Sequence, residues 1–225
     1  SAKDMPMEFP EGLGIGAVLS RADARDVLVT RDGTAAAELA PGSIVGTSSL
    51  RRELQMKALN PLVQVRLLRG NVQTRLRKLK EGQYDAILLA AAGLERLGLT
   101  EEEGVCLEYL DPETFLPAAG QGILAVEAKE GRLSEVLQAI HCPEAALELM
   151  AERAFLKAIG GSCNAPAAAL SRLEGGALHM KVLFAPDGER IRKAEGSCAL
   201  TEKHEEGKAA QAGNPDGDAC ERARA

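Results

Sequence analysis

Apolar positions along this chain fall in short runs, and two periods alternate. Residues 13–19 (L-G-I-G-A-V-L) interleave glycine with apolar side chains and predict a buried strand. Residues 20–26 are polar and read as a connection, 27–29 as a short strand, and R-D-G at 31–33 as a turn. A strand–helix rhythm follows: strand 44–45, helix 49–58, strand 63–68, helix 72–80, strand 86–91 and a short helix at 94–97. Strands that alternate with helices predict an α/β domain whose sheet is largely parallel.

L-P-A-A-G-Q-G at 116–122 is a crossing built of small residues, and 123–127 reads as a strand after it. Helices are predicted at 133–140 and 144–159. In the second, Ala146, Leu147, Leu149, Met150, Ala154 and Phe155 recur at helical spacing, and Gly160-Gly161 ends it. Strands at 167–170, 177–184 and 190–195, joined by E-G-G and P-D-G turns, make the last third a small α+β unit. Residues 201–225 carry no apolar face and predict a largely disordered tail.

Composition narrows the function classes. The 225 residues suffice for one large or two small domains. Aromatics make up only 3% and Trp is absent, which disfavours base stacking on single-stranded nucleic acid. The net charge of -6 argues against a general nucleic-acid binder. Five cysteines at irregular spacing, with no C-x-x-C pair, suit free thiols in a reducing cytoplasm better than a disulfide framework or a zinc site. Cys106, Cys142 and Cys198 read as small buried hydrophobes. No apolar run approaches a membrane span, and no secretory signal is visible.

One stretch departs from the acidic background. From Arg51 to Lys80 there are nine basic residues against one acidic residue, Glu53. A local positive field of this kind suits a ligand with several negative groups. Arg51, Arg52, Arg69 and Arg75 fall at strand-to-helix junctions, where α/β folds place ligands, and a guanidinium holds a carboxylate through two parallel hydrogen bonds. Arg77, Lys78 and Lys80 read as a solvated helix face. Thr47, Ser48 and Ser49 suit a helix start, as caps or as donors to an anion. Cys163 stands apart from the other cysteines in a tight loop, G-G-S-C-N-A-P, which leaves a reactive thiol and a buried one both open. Asp4, beside Lys3, suits a surface ion pair or an acid–base carboxylate. Gly120-Gln121-Gly122 lacks a dinucleotide fingerprint and suggests only close backbone approach.

Six motifs, in order, resemble porphobilinogen deaminase, the hydroxymethylbilane synthase family. They are S-A-K-D-M-P at Ser1, V-G-T-S-S-L-R-R at Val45, L-R-G-N-V-Q-T-R-L at Leu68, Y-D-A-I-L-L-A-A-A-G-L-E-R-L at Tyr84, L-P-A-A-G-Q-G at Leu116, and A-E-R-A-F-L-K-A-I-G-G-S-C-N-A-P at Ala151. The resemblance implies a three-domain architecture. Two domains would be α/β and like periplasmic binding proteins, the first of them truncated, with a small α+β domain at the end. Residues 1–19 and 120–140 would belong to the first, 20–119 to the second and 141–200 to the third, with 201–225 as a tail. It implies head-to-tail condensation of four porphobilinogen molecules with loss of ammonia, in tetrapyrrole synthesis.

The resemblance also implies a dipyrromethane cofactor, thioether-linked to Cys163, and Asp4 as the catalytic carboxylate. Lys3, Ser49, Arg51, Arg52, Arg69, Arg75 and Arg96 fall on motif positions that bind cofactor or substrate carboxylates. Gln121 and Gly122 fall on the interdomain segment near the cofactor. A cytoplasmic monomer is implied, with porphobilinogen as its partner and no metal, membrane or nucleic acid. The family has roughly eighty further residues before Ser1, against typical domain sizes, so the chain reads as a fragment, weakly active or inactive alone. A non-catalytic anion-binding module of periplasmic-receptor type is the alternative reading. Nucleic-acid binding through the basic stretch is a third, and a steep salt dependence would mark it.

Overall fold

The computed structural model describes residues 1–129, 131, 134–160 and 166–200. A 3-10 turn, Ala2–Asp4, precedes β1 (Leu13–Val18), β2 (Asp26–Thr30) and β3 (Ile44–Thr47). Then come α1 (Leu50–Leu59), β4 (Gln64–Leu67), α2 (Val72–Lys80), β5 (Ala86–Ala90), α3 (Ala91–Arg96) and β6 (Cys106–Tyr109). The remainder is β7 (Ala125–Lys129), α4 (Ser134–Ile140), α5 (Pro143–Ala158), β8 (Ala167–Glu174), β9 (Ala177–Phe184) and β10 (Arg192–Ala199). The fold is mixed α/β. The predicted tail at 201–225 and the loop that carries Cys163 lie outside the described residues.

Among the described residues three sheets form. The largest has five strands in the order β4-β3-β5-β2-β6. It is parallel only where β3 meets β4 and β5, while β2 runs antiparallel to β5 and β6. The largely parallel expectation holds for strand direction, since β3, β4, β5 and β6 share one heading, and fails for pairing, since the reversed β2 sits between β5 and β6. Strands of one heading need a long crossover, which α1, α2 and α3 supply between β3, β4, β5 and β6. β6 itself was absent from the predicted elements. Its signal is short: Val105, Leu107 and Tyr109 alternate inward after an acidic run.

The sheet is covered on both faces. Leu28, Val45 and Leu88 join Met56 of α1 and Phe115 on one side. Val27, Val29, Ile87 and Leu89 join Leu76 and Leu79 of α2 and Leu94 of α3 on the other. Burial on both faces is why 27–29 and 86–91 read as unbroken apolar runs. Cys106 and Cys198 are exposed, against expectation, because β6 and β10 are edge strands. The smaller sheets are antiparallel: β1 with β7, and β10-β9-β8. β1 buries only Ala17 and Val18, since two strands under α4 and α5 leave its first half open. Gly175 and Gly176 both have positive φ, as a two-residue hairpin loop between β8 and β9 demands.

The three sheets meet at two connections and one helix. Residues 19–22 run against 122–124: Ala22 N–H donates to Gly122 O at 3.1 Å and Leu19 N–H to Leu124 O at 2.9 Å. Gly122 has φ +87, and a Cβ there would lie 2.5 Å from Ala22 O, so the crossing needs glycine. α5 buries Ala145, Leu149 and Glu152, whereas Met150 of the predicted apolar stripe is exposed. Glu152 sits inside because every lone pair finds a donor. Arg21 grips it through two nitrogens at 2.6 and 3.2 Å, and Gly120 N–H and Ser171 N–H donate at 2.6 and 2.7 Å. Arg21 Nε also donates to Gln121 O at 3.0 Å. The polar segment 20–26 is therefore a structural tie.

Glu152→Ala in the complete protein removes the bidentate partner of Arg21, which keeps only the longer ion pair with Glu148 at 3.3 Å, and leaves two buried N–H groups without an acceptor. Urea unfolding should show a loss of about 3–5 kcal/mol. Glu53→Ala, which removes the exposed i,i+4 pair with Lys57, should change stability by under about 1 kcal/mol.

Candidate active-site cavity

β3 ends at the mouth of a cavity of ≈ 500 Å³, and α1 begins there. This is the carboxyl edge of the parallel strands, where the free N–H groups of a helix start face outward. Ser48 and Ser49 line the cavity. Ser49 caps α1, its side chain accepting from Arg52 N–H at 3.4 Å, and its own N–H donates to Thr47 Oγ1 at 3.2 Å. The capping expectation for the T-S-S stretch holds for Ser49.

The cavity gathers most of the candidate residues from four places in the chain. Lys3 and Asp4 come from the 3-10 turn, Ser49, Arg51 and Arg52 from the start of α1, Arg75 from α2, and Gln121 from the crossing. Ala167, at the start of β8, completes the wall. Arg69 is exposed and does not line it; its carbonyl accepts from Lys78 Nζ at 3.1 Å. Arg96 donates to Gly122 O at 2.8 Å and so acts on the crossing. Cys163 lies in 161–165, outside the described residues. Of the residues read as solvated, Arg77 pairs with Glu81 and Lys80 with Glu102.

The centre of the site was not in the sequence reading. Asp26, at the start of β2, is fully buried. Its Oδ2 accepts from Arg51 Nη1 at 2.6 Å, and its Oδ1 from Arg52 Nε at 3.0 Å, Arg52 Nη2 at 2.7 Å and Gln121 Nε2 at 2.9 Å. Burial works against the charged carboxylate, but the two guanidiniums outweigh it and hold Asp26 well below the usual carboxylate range. Each arginine is thus committed on one side to the protein. Arg51 also donates to Leu116 O and Arg52 to Leu88 O, at 2.6 and 2.9 Å. Arg51 Nε is buried and has no partner among the described residues.

Charge around the cavity is unbalanced. Lys3, Arg51, Arg52 and Arg75 face Asp4 and the buried Asp26. Lys3 Nζ donates to Gln121 Oε1 at 3.3 Å. Burial, and then the Arg52 charge, bring its pKa down to about 8. Burial and Arg52 likewise lower Arg75, which spends its Nε on Gly70 O at 2.8 Å. Cations that depress one another are the mark of a site complementary to an anion.

A seated anion favours the charged form of Lys3, so affinity is full below about 8 and falls as pH rises through it. Calorimetric titration with citrate should show that fall, and Lys3→Met should flatten it. A wild-type profile without the fall would contradict this account.

Residues 1–136 match the family model for porphobilinogen deaminase, dipyromethane cofactor binding domain, and 146–213 that for porphobilinogen deaminase, C-terminal domain. The chain is 47% identical over 201 residues to the porphobilinogen deaminase of Paraburkholderia phytofirmans, covering 88% of this chain and 58% of the relative. It is 49% identical over 195 residues to that of Roseiflexus castenholzii, covering 85% and 63%. It thus spans about three-fifths of the length of these relatives. An amino acid ABC transporter substrate-binding protein from Streptococcus pneumoniae, solved with L-arginine, is similar over 68% of this chain and 60% of its own, at a TM-score of 0.36 and 16% identity. With one family model covering 1–136, and relatives near half identical over most of its length, the chain belongs to the porphobilinogen deaminase family.

Proposed function

We propose that the complete protein condenses four porphobilinogen molecules head to tail, with loss of ammonia, to hydroxymethylbilane. The observation that carries this is the cavity where Lys3, Asp4, the start of α1, Arg75 and Gln121 converge with cations in excess. Each pyrrole bears an acetate and a propionate, so substrate and product are polyanions matched to such a wall.

The residues present also fit a dipyrromethane cofactor. Among the described residues Arg51 Nε, which is buried, has no partner, and Lys3 and Arg75 have no carboxylate at hydrogen-bond distance, so all three are donors for its carboxylates. Joined to Cys163, the cofactor supplies the pyrrole end on which the product is built. Ser49 and the free N–H groups of α1 add positive potential beside these cations.

Asp4 supplies the negative charge of the site. Ammonia leaves porphobilinogen with its bonding electrons, and a methylene-pyrrole cation remains. A fixed carboxylate stabilises that cation and takes the proton released when the next pyrrole carbon bonds to it. Gln121 holds Lys3 on one side and Asp26 on the other, which keeps the Lys3 ammonium beside Asp4. Arg69 and Arg96 are proposed to meet carboxylates at the rim. The three sheets are read as three domains of one enzyme, a cytoplasmic monomer. Among the described residues no helix is long and apolar enough to cross a membrane. A non-catalytic anion-binding module explains the cations but leaves Asp4 without a task, and the relatives' names do not favour it.

Asp4→Asn in the complete protein should lower kcat for porphobilinogen by roughly 100- to 10,000-fold. Its KM should hold, because the carboxylate-binding cations remain. The Cys163 peptide of the complete protein, incubated with porphobilinogen, should carry the added mass of a dipyrromethane and stain with Ehrlich's reagent. An active protein whose Cys163 peptide has no added mass would overturn the proposal.

A further inference from the structure

Asp4 stands at the lip of the cavity on a chain that is anchored on both sides. Before it, Ala2 is buried among Val18, Ile123, Ala145 and Leu149, and its N–H donates to Ile123 O at 3.0 Å. After it, residues 5–12 form neither helix nor strand, and β1 begins only at Leu13. That segment is clasped from α5. Arg153 Nη2 donates to Pro6 O at 2.6 Å and to Met7 O at 3.1 Å, and its guanidinium lies 5.6 Å from the centroid of the Phe9 ring.

A charged donor on two successive carbonyls fixes the direction of the backbone that carries them. The Pro6 ring fixes one torsion more. Between the clasp and Asp4 only Met5 remains, in extended conformation. The exit of the chain from the 3-10 turn is therefore set by α5, as Ala2 sets its entry. Neighbouring positions on α5 divide the work: Glu152 grips Arg21 and Gly120, and Arg153 holds the segment after Asp4. The Arg153 bonds to Pro6 and Met7 end on backbone carbonyls, so they bear on Asp4 through the chain.

We propose that Arg153 is a positioning residue for Asp4, holding residues 6–9 so that the Asp4 carboxylate keeps its place over the cavity. This rests on the catalytic reading of Asp4 above. The test uses the complete protein with Arg153→Ala and Arg153→Lys, steady-state turnover of porphobilinogen, and amide hydrogen exchange read by mass spectrometry. Arg153→Ala should lower kcat roughly 10- to 100-fold, since small misplacements of a reacting group cost that much, with KM unchanged. Exchange should quicken at 5–9 and stay slow at 26–30. Arg153→Lys, a donor of shorter reach, should recover part of kcat.

Wild-type kcat in Arg153→Ala overturns the proposal, as does a KM that rises while kcat holds. If Arg153→Ala exchanges fast throughout, the Lys variant decides: lowered kcat with native protection at 26–30 supports the proposal, and wild-type kcat overturns it. Asp4→Asn separates the two claims. Wild-type turnover in Asp4→Asn defeats the catalytic reading of Asp4. Slow Asp4→Asn beside fast Arg153→Ala defeats only the role of Arg153.

Discussion

A carboxylate buried under two guanidiniums sets the geometry of the cavity. Asp26 is on a central strand with no access to water, and its charge is tolerable only while Arg51, Arg52 and Gln121 all donate to it. These donors belong to distant parts of the chain. Satisfying them docks the first turn of α1 against β2 and brings the 120–122 crossing beside it. Gln121 then reaches Lys3, so the 3-10 turn inherits its place from the same carboxylate. Apolar residues of equal volume would bind these elements as well or better, but without direction. The ionic arrangement defines which groups face the cavity.

Glu152 solves the same problem at the junction of the sheets. Burial pushes its carboxyl upward, against the pull of Arg21 and two backbone N–H groups. Its ligands come from 19–25, from the crossing and from β8. With Asp26 it makes a chain of contacts from α5 through Gly120 and Gln121 to α1. The walls of the cavity are thereby registered against one another although they come from separate sheets. Cations crowd at the centre of this framework because the protein neutralises only part of their charge.

Much of the fold was legible because burial leaves a periodic trace. Residues 72–80 read as a helix from their spacing, and α2 occupies them; the E-G-G turn announced the β8–β9 hairpin. Ser49 was legible as a cap. The reversed heading of β2 was not, because β2 and β5 are both unbroken apolar runs, and such a run carries no mark of its direction. β10 extends four residues past the predicted end, since its partner β9 continues to Ala177 and no apolar pattern marks an exposed edge. Met150 was misread because a helical stripe of apolar residues does not say which of two flanking faces meets the core.

The sequence by itself determined the residue types of the site and their order. Basic residues at strand-to-helix junctions, an aspartate beside a lysine and a cysteine that follows a glycine pair are chemistry fixed by side chains, and six ordered motifs carry the family. Only the tertiary structure decided their partners. Arg51 and Arg52 look alike as free anion ligands until Asp26, 25 residues before Arg51, is found against both. Arg21 and Glu152, 131 residues apart, leave no local pattern at all. A buried charge is chosen for what lies beside it in space, and that neighbour carries no periodicity along the chain.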